Sequence, residues 1–229
     1  MEKDIEIVRK KGNLIKELLK INYPPVGISL GKTPPFSFPK ISGKMEFCKM
    51  WNLAFKGETF FAMADNHSCL TGQHYLGLRE WKESICRFLV DKVHAFSSKD
   101  VVNRYLEKTP ILPSDKSRVI CISPLENITF IPDIILVKCN PEQAMLLLWS
   151  YSYNTGEIVN GETGTAMCIS LVIKPYLSKK PSFSLGDPGG RYIVGLSEHE
   201  LMVSIPFQLF NNMIETLQSR LEDWKGSDT

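Results

Sequence analysis

Apolar and polar positions alternate along this chain at two periods, and the switches between them predict the elements. Residues 3–21 put Ile5, Val8, Leu14, Ile15, Leu18 and Leu19 largely on one helical face, with lysines between them. Tyr23-Pro24-Pro25 ends that helix, because proline lacks the N–H that a helix interior needs. Residues 26–30 then read as a strand, and a proline-rich loop (Pro34, Pro35, Pro39) leads to a helical stretch over 47–55. A strand over 58–63, a helix starting at 69–75, and helices over 81–95 and 99–108 follow from the same spacing.

The second half begins with two β-branched runs, 118–123 and 133–138. The latter meets Asn140-Pro141-Glu142-Gln143, a helix start in which Asn140 caps, Pro141 takes the first helical position and Gln143 reaches back. That helix should run to about residue 152. Residues 156–164 read as a glycine-rich loop, 165–173 as a helix carrying Cys168, and 180–185 and 200–205 as strands around the turn Gly186-Asp187-Pro188-Gly189-Gly190. A helix over 206–224 closes the chain. Strands and helices mix without regular βαβ alternation, so the expected class is α+β: a mixed sheet packed with several helices in a single domain over 1–229.

Composition narrows the function classes. A net charge of +2, with basic residues never clustered beyond pairs, lacks the footprint of a nucleic-acid binder or a polybasic membrane patch. No apolar run approaches the roughly 20 residues that span a bilayer, and the charged start Met1-Glu2-Lys3-Asp4 is unlike a signal peptide, so a cytoplasmic protein is expected. In that reducing setting the six cysteines should not form disulfides.

Three of those cysteines lie where chains build sites. Cys48 opens a helical stretch, Cys69 follows the polar loop Asp65-Asn66-His67-Ser68, and Cys168 follows the glycine-rich run. A thiolate at a helix start is favoured by free N–H groups and the helix dipole, as a metal ligand or nucleophile. Cys86, Cys121 and Cys139, inside apolar patterns, read as small buried hydrophobes. No pair of cysteines has the spacing of a structural zinc site or a ferredoxin, which leaves ligands dispersed over several loops. His67 and His74 flank Cys69 and offer a mixed zinc site with Cys48.

Other segments carry weaker signals. Residues 156–164 match neither phosphate-binding glycine pattern and read as a flexible connection. In Gly186–Arg191 the glycines Gly189 and Gly190 permit a sharp turn, Asp187 offers a carboxylate and Arg191 an anion clamp; a plain turn closed by an Asp187–Arg191 ion pair is equally compatible. Glu198, His199 and Glu200 read as a solvated strand edge, and no nucleophile elbow is present. Trp51, Phe55, Phe60 and Phe61 read as core, or as walls for a flat cofactor.

Several motifs occur in an order that resembles the domain-of-unknown-function family 169: Pro25-Val26-Gly27-Ile28, Cys48, Cys69 with Gly72 and Leu76-Gly77-Leu78, Ser123-Pro124-Leu125, Pro132-Asp133-Ile134, Asn140 to Met145, Thr155-Gly156, Ala166-Met167-Cys168, and Gly190-Arg191 through Pro206. The likeness covers roughly residues 20–210, with the terminal helices packed on that core. It implies an archaeal or anaerobic bacterial setting and marks Cys48, Cys69 and Cys168 as family-type positions. Some relatives carry a cysteine where this chain has Asp187, which makes Asp187 a substitute oxygen ligand or the mark of a lost fourth ligand.

The leading expectation is an iron–sulfur protein with Cys48, Cys69 and Cys168 as metal ligands and Asp187 or an exogenous group as the fourth, zinc being the alternative metal. Two rivals are a non-redox binder of an anionic or tetrapyrrole-like molecule held near Gly189, Gly190 and Arg191, and a thiol enzyme with Cys69 as nucleophile and His67 or His74 as base. The partners expected are a small-molecule ligand or a redox protein, with neither nucleic acid nor membrane; self-association is left open.

Overall fold

A computed structural model describes residues 2–35 and 37–226. Six segments form one sheet, the β-branched residues concentrated in the longer strands: β1 (Val26–Gly31), β2 (Phe60–Ala62), β3 (Val119–Pro124), β4 (Ile134–Cys139), β5 (Ser182–Ser184) and β6 (Leu201–Pro206). Their order is β2-β3-β1-β4-β6-β5. The α+β class holds, but every strand pair is antiparallel rather than mixed. β3 and β4 do run alike, yet β1 lies between them and pairs with both. Parallel contacts are confined to isolated bridges such as Lys40 with Phe61 and Gly161 with Phe183, which lie against the short edge strands β2 and β5.

Antiparallel sheets often leave one face to solvent. Here β3, β4 and β6 are buried at every position. The helices explain this. They are α1 (Glu2–Leu19), α2 (Phe47–Phe55), α3 (Leu70–Tyr75), α4 (Glu83–Arg87), α5 (Lys99–Lys108), α6 (Pro141–Thr155), α7 (Lys174–Ser178), α8 (Pro188–Val194) and α9 (Phe207–Lys225). One face of the sheet, with Ile135, Val137, Val203 and Ile205, packs against α1, α6 and α9. The other, with Ile28, Ile120, Ile122, Ile134 and Leu136, packs against α2, the 167–178 helix and Val194 of α8. A small third cluster of Ile85, Cys86, Leu89 and Val102 holds α4 and α5 together.

The predicted boundaries mostly survive. Asn140 Oδ1 accepts from Gln143 N and Gln143 Oε1 accepts from Asn140 N, and the helix runs three residues past the expected end to Thr155, where Gly156 caps it with φ +69°. Two predictions need correction. Residues 81–95 are not a single α-helix: α4 loosens into a π-helical turn, Phe88–Lys92. Residues 186–190 are not a plain turn: Asp187 caps α8, whose first turn contains Pro188, Gly189 and Gly190. The helix carrying Cys168 likewise begins with a π-helical stretch, Ile169–Ile173, before α7. Of the residues read as the charged start of the chain, Met1 lies outside the described part.

α1 must approach the turn after β3 closely. A Cβ on Gly12 would sit 2.6 Å from Leu125 Cβ, an atom near the backbone that cannot swing away. Gly12→Ala gains about 1 kcal/mol of helix propensity, but overpacking of this kind costs about 1–3 kcal/mol. The clash wins, so this variant should unfold at lower urea than the parent; a midpoint equal to or above the parent's would show that α1 can shift freely.

Candidate functional site

Cys48, Cys69, Cys168 and Asp187 come from four separate segments and line one cavity of about 190 Å³. Cys48 is the second residue of α2. Cys69 is the N-cap of α3, its Sγ accepting from Gly72 N at 3.3 Å. Cys168 lies at the start of the 167–178 helix and is nearly fully buried. Apolar side chains make most of the remaining wall, Phe47, Met167 and Ile193 within and Phe88, Leu89 and Val93 from the α4 segment, with Glu46, Thr71 and Thr165 its polar members. Phe88 and Val93 remain 45% and 48% exposed, so they form the rim.

Asp187 is the keystone of this arrangement. Its Oδ1 accepts from Gly190 N at 2.8 Å and its Oδ2 from Met167 N at 3.2 Å. One carboxylate thus caps α8 and ties it to the residue before Cys168. Such caps contribute about 1 kcal/mol each. Gly190 is required here, since a Cβ would lie 2.6 Å from Met167 Sδ and 2.8 Å from Asp187 Oδ2. Both oxygens of Asp187 therefore serve the backbone.

Arg191 does not pair with Asp187. Its guanidinium donates to the carbonyls of Leu185, Ser197 and Glu200, lacing α8 to the loop before β6. Gly189 and Gly190 line the cavity, whereas Arg191 lies outside its lining. The far end of α8 is held by Lys138, a buried lysine of β4 whose Nζ donates to Gly195 O at 2.6 Å, lies 3.3 Å from Glu200 Oε2, and stacks on the Tyr23 ring. Glu200 is thus no free edge acid, while Glu198 and His199 are solvated.

Electrostatics reverse the expectation of helix-start thiolates. Burial is the largest influence on all three thiols and pushes Cys48 up to about 12, with Cys69 and Asp187 adding to the effect. Cys69 is raised by burial although the Gly72 and Thr71 amides partly oppose it. Cys168 lies well above its ordinary range through burial, then Cys69, Cys48 and Asp187. Desolvation outweighs the helix ends, so without a cation the cavity presents neutral thiols. That each thiol feels the other two or Asp187 places them in one electrostatic neighbourhood.

The remaining candidates are scattered. His67 is buried with neither ring nitrogen hydrogen-bonded, packs against Phe47, and is outside the cavity lining. His74 Nδ1 meets Arg79 O and its ring packs at a tilt against Trp81. Cys86, Cys121 and Cys139 are buried elsewhere. Among the described residues, no group of three or more His, Cys, Asp or Glu side chains is gathered tightly enough to hold a metal ion. The rim residues Phe88, Leu89 and Val93 carry no chemical signature in sequence, and neither does Ala166, a cavity residue at φ +70°.

A family model, DUF169, described as "Uncharacterised ArCR", matches residues 14–216. The uncharacterised protein MJ0308 of Methanocaldococcus jannaschii is 22% identical over 229 residues, covering 96% of this chain and 98% of its own length. No solved structure matches. No described helix is long and apolar enough to cross a membrane.

His67 makes an acid-sensitive fold. Desolvation lowers it from 6.5 to about 4, so between those values the unfolded chain binds the proton that the folded chain refuses. Stability is then complete above pH 6.5 and lost as pH falls toward 4. His67→Phe should flatten that acid limb in urea titrations at pH 4.5, 5.5 and 7. An equally steep limb in the variant would remove His67 as its source.

Proposed function

The chain belongs to the DUF169 family, and on that premise we propose that it functions through the three-thiol cavity, as the holder of an iron–sulfur cluster with one iron left open for a ligand or electron-transfer partner. The observation that carries this reading is the convergence of Cys48, Cys69 and Cys168, from three distant segments, on one small cavity with an otherwise mostly apolar wall. Cysteine thiolates are the usual cluster ligands, and an apolar wall tunes and shields a cluster. A polynuclear cluster accepts ligands spread around its perimeter. A single zinc ion needs them gathered about one point, an arrangement absent among the described residues.

Size and electrostatics weigh against the rivals. A volume of about 190 Å³ lies below the roughly 300 Å³ at which pockets for drug-sized ligands begin, so a tetrapyrrole is a poor match. The thiol-enzyme reading lacks both a lowered Cys69 pKa and a histidine on the cavity wall. In the cluster reading Asp187 is a positioning residue, because its oxygens already accept two backbone N–H bonds.

Protein reconstituted anaerobically with iron and sulfide should turn brown and absorb broadly near 400 nm, roughly where thiolate-to-iron charge transfer falls. Cys48→Ser, Cys69→Ser and Cys168→Ser should each bleach it, while Cys86→Ser should not. Asp187→Asn should keep its iron, with loss in that variant alone returning Asp187 to the ligand set. Colourless, iron-free protein would sink the cluster reading. Because loading must displace protons from neutral thiols, iron uptake should strengthen as pH rises from 6 to about 8.5; uptake independent of pH would contradict thiolate ligation.

A further inference from the structure

A second cavity, of about 480 Å³, abuts the first, and Ala166 lines both. Its floor is Ile169 and the buried Ser170 of the π-helical stretch; its walls come from the end of α5 and from the loop 161–164. This volume falls within the ~300–1,000 Å³ of small-molecule sites.

The donor and acceptor inventory of this cavity is unusually one-sided. Four hydroxyls line it: Tyr105 gives its hydrogen to Thr165 O, Thr163 to Gly186 O and Ser170 to Met167 O, while Thr109 lies against the carbonyls of Tyr105 and Leu106 and shares a hydrogen bond with Tyr75 Oη. A hydroxyl that has given its one hydrogen has only lone pairs left to offer. The side-chain donors that remain are the ammonium groups of Lys108 and Lys174. Lys174 pairs with Glu162 on the same wall, while the exposed Lys108 has no ion-pair partner among the described residues. Two ammoniums against one carboxylate leave one surplus positive charge, beside a row of acceptor oxygens.

The geometry points to a binding site for a small hydroxylated anion: one phosphate or carboxylate group held by Lys108, and several hydroxyls donating to the oxygens of Tyr105, Thr163 and Ser170. Simple anions would satisfy only the lysines, and neutral apolar molecules would strand the lone pairs. Selectivity for polyhydroxylated ligands follows from what the hydroxyls have already spent. The site stands on its own residues and does not depend on what the thiols hold.

Calorimetric titration of metal-free protein with glucose 6-phosphate and with gluconate tests it, against their deoxygenated counterparts hexyl phosphate and hexanoate. At least one hydroxylated probe should bind with a Kd of about 1 mM or tighter, and roughly ten-fold or more tightly than its counterpart, as lost hydrogen bonds predict. Glucose 6-phosphate alone would mark the anion as phosphate, gluconate alone as carboxylate, and both would support the shared chemistry. Lys108→Met, at an exposed position, should melt like the parent yet weaken binding about ten-fold, whereas Cys69→Ser should bind like the parent. Failure of both hydroxylated probes at about 10 mM, equal binding of a deoxygenated counterpart, or unchanged affinity in Lys108→Met would each overturn the proposal.

Discussion

Everything in this fold follows from a sheet that keeps little surface for water. Six antiparallel strands, whose two faces carry Ile28, Ile122 and Leu136 on one side and Ile135, Val203 and Ile205 on the other, must be roofed twice. At about 25 cal/mol per Å² of apolar surface, neither face can be left exposed without a large loss. The long helices α1, α6 and α9 supply one roof. Shorter pieces from all along the chain supply the other. A roof assembled from short pieces has seams, and both cavities lie in them.

Within that seam the arrangement turns on a single carboxylate. Asp187 caps α8 and accepts from Met167, so the helix that carries Cys168 and the helix that carries Gly190 share one anchor. Arg191 and Lys138 then fix α8 to the backbone around β6, through carbonyls rather than through exposed ion pairs. Several such hydrogen bonds acting together fix the geometry of α8, where a single surface salt bridge contributes only about 0–1 kcal/mol.

The periodic elements were legible in sequence because a 3.6-residue or two-residue rhythm is a local property. α2 and α5 fall on the expected residues, and the Asn140 cap was read from its Asn-Pro-x-Gln signature. Asp187-Pro188 carries nearly the same signature, yet its two following glycines suggest a turn. Gly190 is glycine for contact with Met167, a tertiary reason that no local pattern carries. Likewise the three thiols announced themselves by position, whereas their neutrality did not. Desolvation is set by Phe47, Met167 and the rim residues, which come from elsewhere in the chain. The role of Arg191 was hidden for the same reason: its partners are carbonyls, and every residue has one.

The dispersal of the three thiols has a consequence for the chain as a polymer. Cys48 and Cys69 are 69 − 48 = 21 residues apart, and Cys69 and Cys168 are 168 − 69 = 99 apart. Anything gripping all three at once staples the chain into two closed loops, and loop-closure entropy grows only with the logarithm of their length. Such a ligand finds all three thiols together only in the folded chain, so its preference for that state adds to the stability of the fold. Occupancy and foldedness then become one equilibrium, and the protein's lifetime would report whether the cavity is filled.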